Sequence, residues 1–351
     1  MDRNKLTSLI AAVLGVATLL ASASTNGPAR PAPHFQPGAL VRDGLVRTGA
    51  LHSSDVSWHG GPTTARTGEQ VSVFVSDSYG NGVNDVRQWA DFMAGLIHGT
   101  ELGLLTAYIA TPAEVASLCY GDDILGCYQA NMLVAIGDPV DGVSPQEVVR
   151  HEYGHHVAAN RANAPWPAID WGTKRWASQA NICSRATDGG VFPGDEGAQY
   201  TLNPGEAFAE TYRVLNDVRG FGAAIDWTLV DPSFLPNADA LQAVEQDVRQ
   251  PWTGPTASVV HGRFKRGSNA WTMSLPLPLD GSLSVDLSFP AGTRDDIAMY
   301  RKTGTRVLAR GAPSGASSEK LSFVVCGERS VRLRVTSRGG PGPFELHIAR
   351  P

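Results

Sequence analysis

Residues 151–155 read His-Glu-Tyr-Gly-His, with two histidines four positions apart and a glutamate directly after the first. On an α-helix, residues i and i+4 are about 40° apart around the axis, so both imidazoles project from one face. Two neutral histidine nitrogens at that spacing can bind one Zn²⁺. Glu152 is about 100° further around the helix, beside the metal, where its carboxylate can take a proton from zinc-activated water. The pattern therefore predicts a hydrolytic zinc site with His151 and His155 as ligands and Glu152 as general base.

The helix that must carry these residues has its own start signal. Ser144-Pro145-Gln146-Glu147 is a capping box with proline at the first helical position, and the helix is predicted to run to about Asn160. A catalytic zinc needs a third protein ligand. The extended pattern H-E-x-x-H-x-x-G-x-x-H would supply it from the same helix, but Arg161 occupies the last position. His156 is turned about 100° from the metal-facing direction. The third ligand must come from another segment.

Residues 203–210 read Asn-Pro-Gly-Glu-Ala-Phe-Ala-Glu, which places Glu206 and Glu210 one helical turn apart. Together with H-E-x-x-H, this segment resembles the gluzincins, whose second helix carries Glu-x-x-x-Asp/Glu. The resemblance implies that Glu206 is the third Zn²⁺ ligand and that Glu210 hydrogen-bonds a ligand histidine. With Tyr200 shortly before it, the segment looks most like lethal-factor-type metallopeptidases. That resemblance implies that Tyr200 stabilises the oxyanion.

Glu206 also has an interpretation that needs no metal. Asn203 as N-cap and Glu206 at the third helical position form a second capping box, and Glu210 would then be the ligand. We favour Glu206 as the ligand, because a ligand histidine usually needs a carboxylate behind it and Glu210 is placed to supply one.

The first 23 residues have the pattern of a secretory signal peptide. Basic residues precede an apolar run from Leu9 to Leu20, and Ala21-Ser22-Ala23 follows as a cleavage site. The run is shorter than the roughly 20 apolar residues that span a bilayer. We therefore expect a secreted, extracellular protein with no membrane span.

If the protein is exported, its four cysteines are expected to form disulfides, because an oxidising compartment favours disulfide bonds. Cys119 and Cys127 are close in sequence, which favours their pairing and leaves Cys183 for Cys326. Four cysteines allow three connectivities, so this one is an inference from proximity.

Composition shifts divide the remaining chain into three regions. Residues 24–67 are rich in Pro, Gly, Ser and Thr and are interpreted as a linker or pro-segment. Residues 68–252 mix strand and helix patterns and are expected to form an α+β, zincin-like domain around the active-site helix. Within it, the apolar strand 131–136 is expected to be the edge along which an extended peptide adds. Residues 260–351 alternate with period two between Gly/Pro/Ser turns, which predicts a small all-β sandwich.

The sandwich region resembles the pre-peptidase C-terminal domain of secreted bacterial peptidases, in Leu283–Phe289, Asp295–Tyr300 and the closing Gly340–Leu346 segment. It is also basic: residues 260–351 hold 14 Lys/Arg against 7 Asp/Glu, a net charge of +7. The whole chain carries −5, which leaves −12 for residues 1–259. An acidic main body argues against nucleic-acid binding.

Two functions from different classes fit these features. The first is a secreted zinc metallopeptidase that acts on a peptide or protein substrate. The second is a secreted binding protein with a structural or vestigial zinc site, whose basic sandwich attaches to an anionic cell-surface polymer. Glu152 favours the first, since a purely structural site has no use for a carboxylate that does not bind the metal.

Overall fold

The computed structural model describes residues 56–80, 82–121, 123–221, 227 and 229–351. The predicted signal peptide and most of the predicted linker lie outside these residues. Among the helices of the described residues, we find none with the length and apolar character needed to cross a membrane.

The first part of the described chain is built on a five-stranded sheet. Its strands are β1 (Trp58–Thr64), β2 (Gln70–Ser76), β3 (Thr106–Ala110), β4 (Gly126–Gln129) and β5 (Met132–Ile136). Their order across the sheet is β1-β2-β3-β5-β4. The three inner strands are parallel, and each outer strand is antiparallel to its neighbour.

Two helices lie between strands of this sheet along the chain, and the other helices follow it. Those of the described residues are α1 (Val86–Ala94), α2 (Pro112–Cys119), α3 (Pro145–Ala159), α4 (Ala168–Trp171), α5 (Lys174–Gln179), α6 (Ile182–Thr187), α7 (Pro204–Phe221) and α8 (Ala238–Arg249). A short hairpin lies between α3 and α4. Its two strands, β6 (Ala162–Asn163) and β7 (Trp166–Pro167), have two residues each. Strands and helices share one apolar core.

Helix α3 forms as its capping box predicts. The Ser144 hydroxyl accepts a hydrogen bond from the Glu147 N–H at 3.3 Å, and Glu147 Oε2 accepts one from the Ser144 N–H at 2.7 Å. Gly154 allows α7 to pack closely against this helix, because a Cβ there would lie 2.6 Å from the Cα of Ala209. Residues on the facing sides of α3 and α7 are therefore brought into direct contact.

Strand β1 corrects the predicted linker over residues 24–67. It pairs with β2 along its whole length, so the folded region begins before residue 68. The sequence Gly60-Gly61-Pro62 interrupts the apolar alternation that would identify a strand, although proline is tolerated on an edge strand. Gly60 has φ of +119°, and a Cβ there would lie 2.2 Å from the carbonyl oxygen of Val73. Glycine is required at this position for the two strands to pair.

The predicted substrate-binding edge is also wrong. Strand β5, which covers most of residues 131–136, lies between β3 and β4 and is paired on both sides. Its backbone therefore has no side open to a further strand. The edge position belongs to β4. An apolar run predicts that a strand exists, but the order of strands depends on long-range pairing that the run does not encode.

The C-terminal region is all-β, as predicted. Its strands are β8 (Thr256–Arg263), β9 (Ala270–Pro276), β10 (Gly281–Ser288), β11 (Asp295–Arg301), β12 (Val307–Arg310), β13 (Ala312–Gly315), β14 (Ser318–Val325), β15 (Ser330–Ser337) and β16 (Pro343–Arg350). They form a five-stranded sheet, β13-β14-β10-β16-β8, and a four-stranded sheet, β12-β11-β15-β9. The two sheets share one apolar core. The first strand begins slightly before the predicted boundary at residue 260.

Both predicted disulfides are confirmed. Cys119–Cys127 joins the end of α2 to β4, and Cys183–Cys326 joins α6 to the residue after β14. Two disulfides are consistent with an oxidising, extracellular compartment. The second bond also ties the helical region covalently to the sandwich.

Candidate metal centre

Two helices bring three ligand atoms together. His151 and His155 project from α3, and Glu206 projects from the first turn of α7. The two Nε2 atoms are 3.3 Å apart, and Glu206 Oε2 lies 3.3 Å from His151 Nε2 and 3.4 Å from His155 Nε2. All three side chains are 3% exposed or less. In the described part of the chain, this group could hold a metal ion.

The donor chemistry of the group fits a cation. His151 Nδ1 lies 3.2 Å from Glu210 Oε2, and an ionised carboxylate can only accept, so Nδ1 carries the proton. In the neutral ring Nε2 is then an acceptor, and it faces a second acceptor, Glu206 Oε2. Two acceptors attract only when a proton or a metal ion lies between them. Tetrahedral ligands about 2.0–2.1 Å from a metal would be about 3.3–3.4 Å apart, which the observed separations match.

Glu210 is held ionised behind His151. Burial raises the pKa of this carboxyl, but the charge of Arg213 and the His151 hydrogen bond outweigh burial and lower the pKa to about 2. Arg213 binds both carboxylate oxygens, from Nη2 to Oε1 at 2.6 Å and from Nε to Oε2 at 2.9 Å. A permanently ionised Glu210 keeps the proton on His151 Nδ1 and the Nε2 lone pair towards Glu206. Arg213 was missed by the sequence analysis, although it lies one turn beyond Glu210 on the same helix.

Glu206 does not form a capping box with Asn203 in the structure. The Asn203 side chain does cap α7, since its Oδ1 accepts from the Gly205 N–H at 3.0 Å. The Asn203 N–H, however, donates to the carbonyl oxygen of Tyr200 rather than to Glu206. The Glu206 carboxylate instead faces His151 and His155. Of the two acidic residues on α7, Glu206 is in the metal group and Glu210 lies behind a histidine.

Tyr200 lies beside the group on a short 3-10 helix, Tyr200–Leu202, that precedes α7. Its hydroxyl donates to Glu206 Oε2 at 2.9 Å. The side chain is half-buried, whereas Glu206 is fully buried. Tyr200 is therefore at the site, as the resemblance implied, in contact with a candidate ligand. Its role towards an oxyanion stays a prediction.

Glu152 is fully buried on α3 and lies against the edge strand β4. A Cβ on Gly126, the first residue of β4, would lie 2.7 Å from Glu152 Oε1 and 2.6 Å from Val148 Cγ1. A side chain at position 126 would therefore displace Val148 or the Glu152 carboxylate from its present position. Gly126 was not singled out by the sequence analysis. The available indication was that Gly126 directly precedes Cys127, which was predicted to form a disulfide.

Comparisons with known proteins are sparse. No family model matches the chain, and no curated protein matches it. Among solved structures, the pre-peptidase C-terminal domain of a collagenase from Bacillus anthracis is similar to 26% of this chain, over 87% of that domain, at 15% identity and a TM-score of 0.22.

Proposed function

We propose that this protein is a secreted zinc-dependent peptidase that hydrolyses peptide bonds in a peptide or protein substrate. The observation that carries the proposal is the triangle of His151, His155 and Glu206, with edges of 3.3–3.4 Å and acceptor atoms facing one another. Two imidazoles and one carboxylate are a ligand set of catalytic zinc sites, which keep a fourth position open for water. The general base that hydrolysis requires has a candidate on the same helix, Glu152.

Each residue has a defined task in this proposal. His151, His155 and Glu206 would hold the ion. When bound, zinc supplies a Lewis acid that polarises the scissile carbonyl and makes water more acidic. The Glu152 carboxylate would take the proton of the attacking water and return it to the leaving amine. The Tyr200 hydroxyl would turn from Glu206 Oε2 to donate to the developing oxyanion.

The edge strand β4 supports a peptide as substrate. In the described residues β4 is paired only with β5, and in this proposal an extended peptide would add to its other side as a further strand. Gly126 brings this edge against Glu152, and the Cys119–Cys127 disulfide holds the strand in place. A peptide hydrogen-bonded along β4 would therefore present its backbone next to the proposed base.

The test begins with metal analysis of the purified protein and a casein digest with and without a chelator. We expect about one zinc per chain and cleavage that the chelator abolishes and added Zn²⁺ restores. Glu152→Gln should keep the zinc and lose cleavage by about 10²–10⁴-fold.

Glu147→Gln is the matched control, because it makes the same change five residues earlier on the helix, where glutamine still serves a capping box. It should retain both zinc and activity. A metal-free, inactive protein would mean that a proton bridges the group, and the binding-protein alternative would then be favoured.

A further inference from the structure

The four-stranded sheet of the sandwich has an outer face that we call the arginine face, defined by Arg310 on β12 and by Arg332 and Arg334 on β15. Alternate residues of these strands point inward. Met299 of β11 and its partner Leu333 of β15 are fully buried, so the residues next to each of them along its strand project to the opposite side. Arg310 and Arg334 are exposed, and Arg332 is half-buried.

Strand register sets the spacing of these arginines. Ala298 of β11 is paired with Arg310 on one side and Arg334 on the other. The two arginines are therefore two strand spacings apart, about 10 Å, while Arg332 and Arg334 are about 7 Å apart along β15. Ala298 is only 8% exposed although it is on the outer face, as expected when flanking arginine stems cover it.

The positive charge of this face is not neutralised by the protein. No Asp or Glu occurs in residues 297–318 or 329–344. Asp296, the acidic residue at the end of the face, is paired with Arg338 at 2.8 Å. Among the ion pairs seen in the described residues, none includes the three arginines of the face.

One guanidinium of the face is held in a fixed position. Arg332 lies over the Tyr300 ring, 5.4 Å from its centroid, and its Nη2 donates to the carbonyl oxygen of Gly304 at 2.8 Å. Lys302 and Arg306, in the turn that Gly304 belongs to, add two further positive charges near it. Several guanidiniums with no acidic partner among the described ion pairs, one of them held in place, favour a ligand with repeated negative charges.

We propose that the arginine face binds a phosphodiester polymer without bases, of the polyol-phosphate type found on cell surfaces. Guanidinium groups form paired hydrogen bonds with phosphate oxygens, which favours arginine over lysine at such sites. A nucleic acid fits less well, because the aromatic ring on this face, Tyr300, is covered by Arg332 and is not free to stack on a base. This proposal is independent of the metal centre.

Binding of the full chain to immobilised poly(glycerol phosphate) teichoic acid tests the proposal. The variant Arg310→Gln/Arg332→Gln/Arg334→Gln should bind about 100-fold more weakly than the unmodified protein at 50 mM NaCl. The matched control is Arg263→Gln/Lys265→Gln/Arg266→Gln, which removes the same charge from exposed positions at the edge of the other sheet. It should lose less than about threefold. Raising NaCl to 200 mM should weaken the unmodified protein most.

Three results would overturn the proposal. The first is no binding of the unmodified protein at 50 mM NaCl, with its fold verified by thermal melting. The second is an equal loss in both triple variants, which would reduce the effect to net charge. The third is tighter binding to a 20-base-pair DNA duplex or to poly-glutamate than to teichoic acid, which would assign the face to another polymer class.

Discussion

His155 and His156 are consecutive residues of α3, and both are completely buried, yet they belong to different clusters. His155 faces α7 and meets His151 and Glu206. His156 faces the other way, where its Nε2 donates to the carbonyl oxygen of Glu101 at 2.8 Å and its Nδ1 accepts from the Tyr128 hydroxyl at 3.1 Å. Burial alone therefore does not separate a candidate metal ligand from a core histidine.

The complementarity of the partners does separate them. On the His156 side, donors meet acceptors throughout: Glu101 accepts from the Gly99 N–H, from Tyr153 and from Arg161. On the His155 side, acceptor atoms of His151 and Glu206 face each other at 3.3 Å. A cluster that matches its own donors and acceptors needs no ion, whereas one that sets acceptor against acceptor needs a cation to hold it together.

The largest expected effect comes from exchanging the two histidines for glutamine one at a time. His155→Gln removes one of the three proposed ligands and should weaken the proposed zinc binding by more than about 100-fold, beyond the range for residues behind a ligand. His156→Gln should change zinc affinity by less than about threefold, because its ring is not in the metal group. Competition with a chromophoric chelator measures both. Equal losses would show that the two sides of α3 are not distinct.

The two acidic residues of α7 sharpen the same contrast. Glu210→Gln keeps a group behind His151 but removes its charge, so zinc affinity should fall about 10–100-fold. Glu206→Gln removes the proposed anionic ligand and should cost more than that. If Glu210→Gln strips the metal while Glu206→Gln retains it, our assignment of ligand and supporting carboxylate is reversed. Because Arg213 would lose one of its two ion-pair partners in Glu210→Gln and keep Asp217, thermal melting of the chelated protein provides the folding control.

Sequence reasoning was sufficient for the parts of the site that short-range geometry determines. The spacing of His151 and His155, the angle of His156 and the capping box of α3 all follow from the helical repeat. The four cysteines could be paired because Cys119 and Cys127 are close along the chain. Each of these inferences uses residues that are close to one another along the chain.

The rest depends on contacts between distant segments. The pairing of β1 with β2 is hidden by the Gly60-Gly61-Pro62 sequence, and the outer position of β4 follows from parallel pairing of β3 with β5. The sequence does not show whether Glu206 caps α7 or faces the histidines. In the structure the Asn203 N–H donates to the Tyr200 carbonyl oxygen, so Glu206 does not cap it. Such choices depend on packing of α7 against α3, for which the sequence offers only the small residue Gly154 as a hint.

A smaller effect is expected for the stability of the His156 side. His156→Gln in metal-free protein should lower the free energy of unfolding by about 2 kcal/mol, because the Tyr128 hydroxyl and the Glu101 carbonyl lose well-placed partners in a buried site. Denaturant unfolding in the presence of a chelator measures this. His155→Gln, compared under the same conditions, should cost less, since the metal-free group it leaves is not complementary. A larger loss in His155→Gln would contradict the contrast between the two sides.

The smallest expected effect is a pH dependence on the His156 side. Burial raises the pKa of Glu101, but the Gly99 N–H and Arg161 outweigh burial and lower the pKa below 4.5. The folded state therefore favours the ionised carboxyl. This stabilisation is fully present above the unfolded-state pKa and is lost as the pH falls through the folded-state value. Glu101→Gln should cost about 1.5 kcal/mol at pH 7, from the weakened bond to Arg161.

The cost of Glu101→Gln should shrink as the pH falls below about 4.5, because the unfolded chain is protonated at Glu101 first and the folded protein only at lower pH. Glu147→Gln, in the capping box of α3, is the control and should give an unfolding curve nearly parallel to that of the unmodified protein at each pH. Denaturant titrations of chelated protein between pH 7 and pH 3 make the comparison. A cost that stays constant over this range would mean that the Glu101 charge does not stabilise the fold, and the donor–acceptor matching of this side would then rest on neutral hydrogen bonds alone.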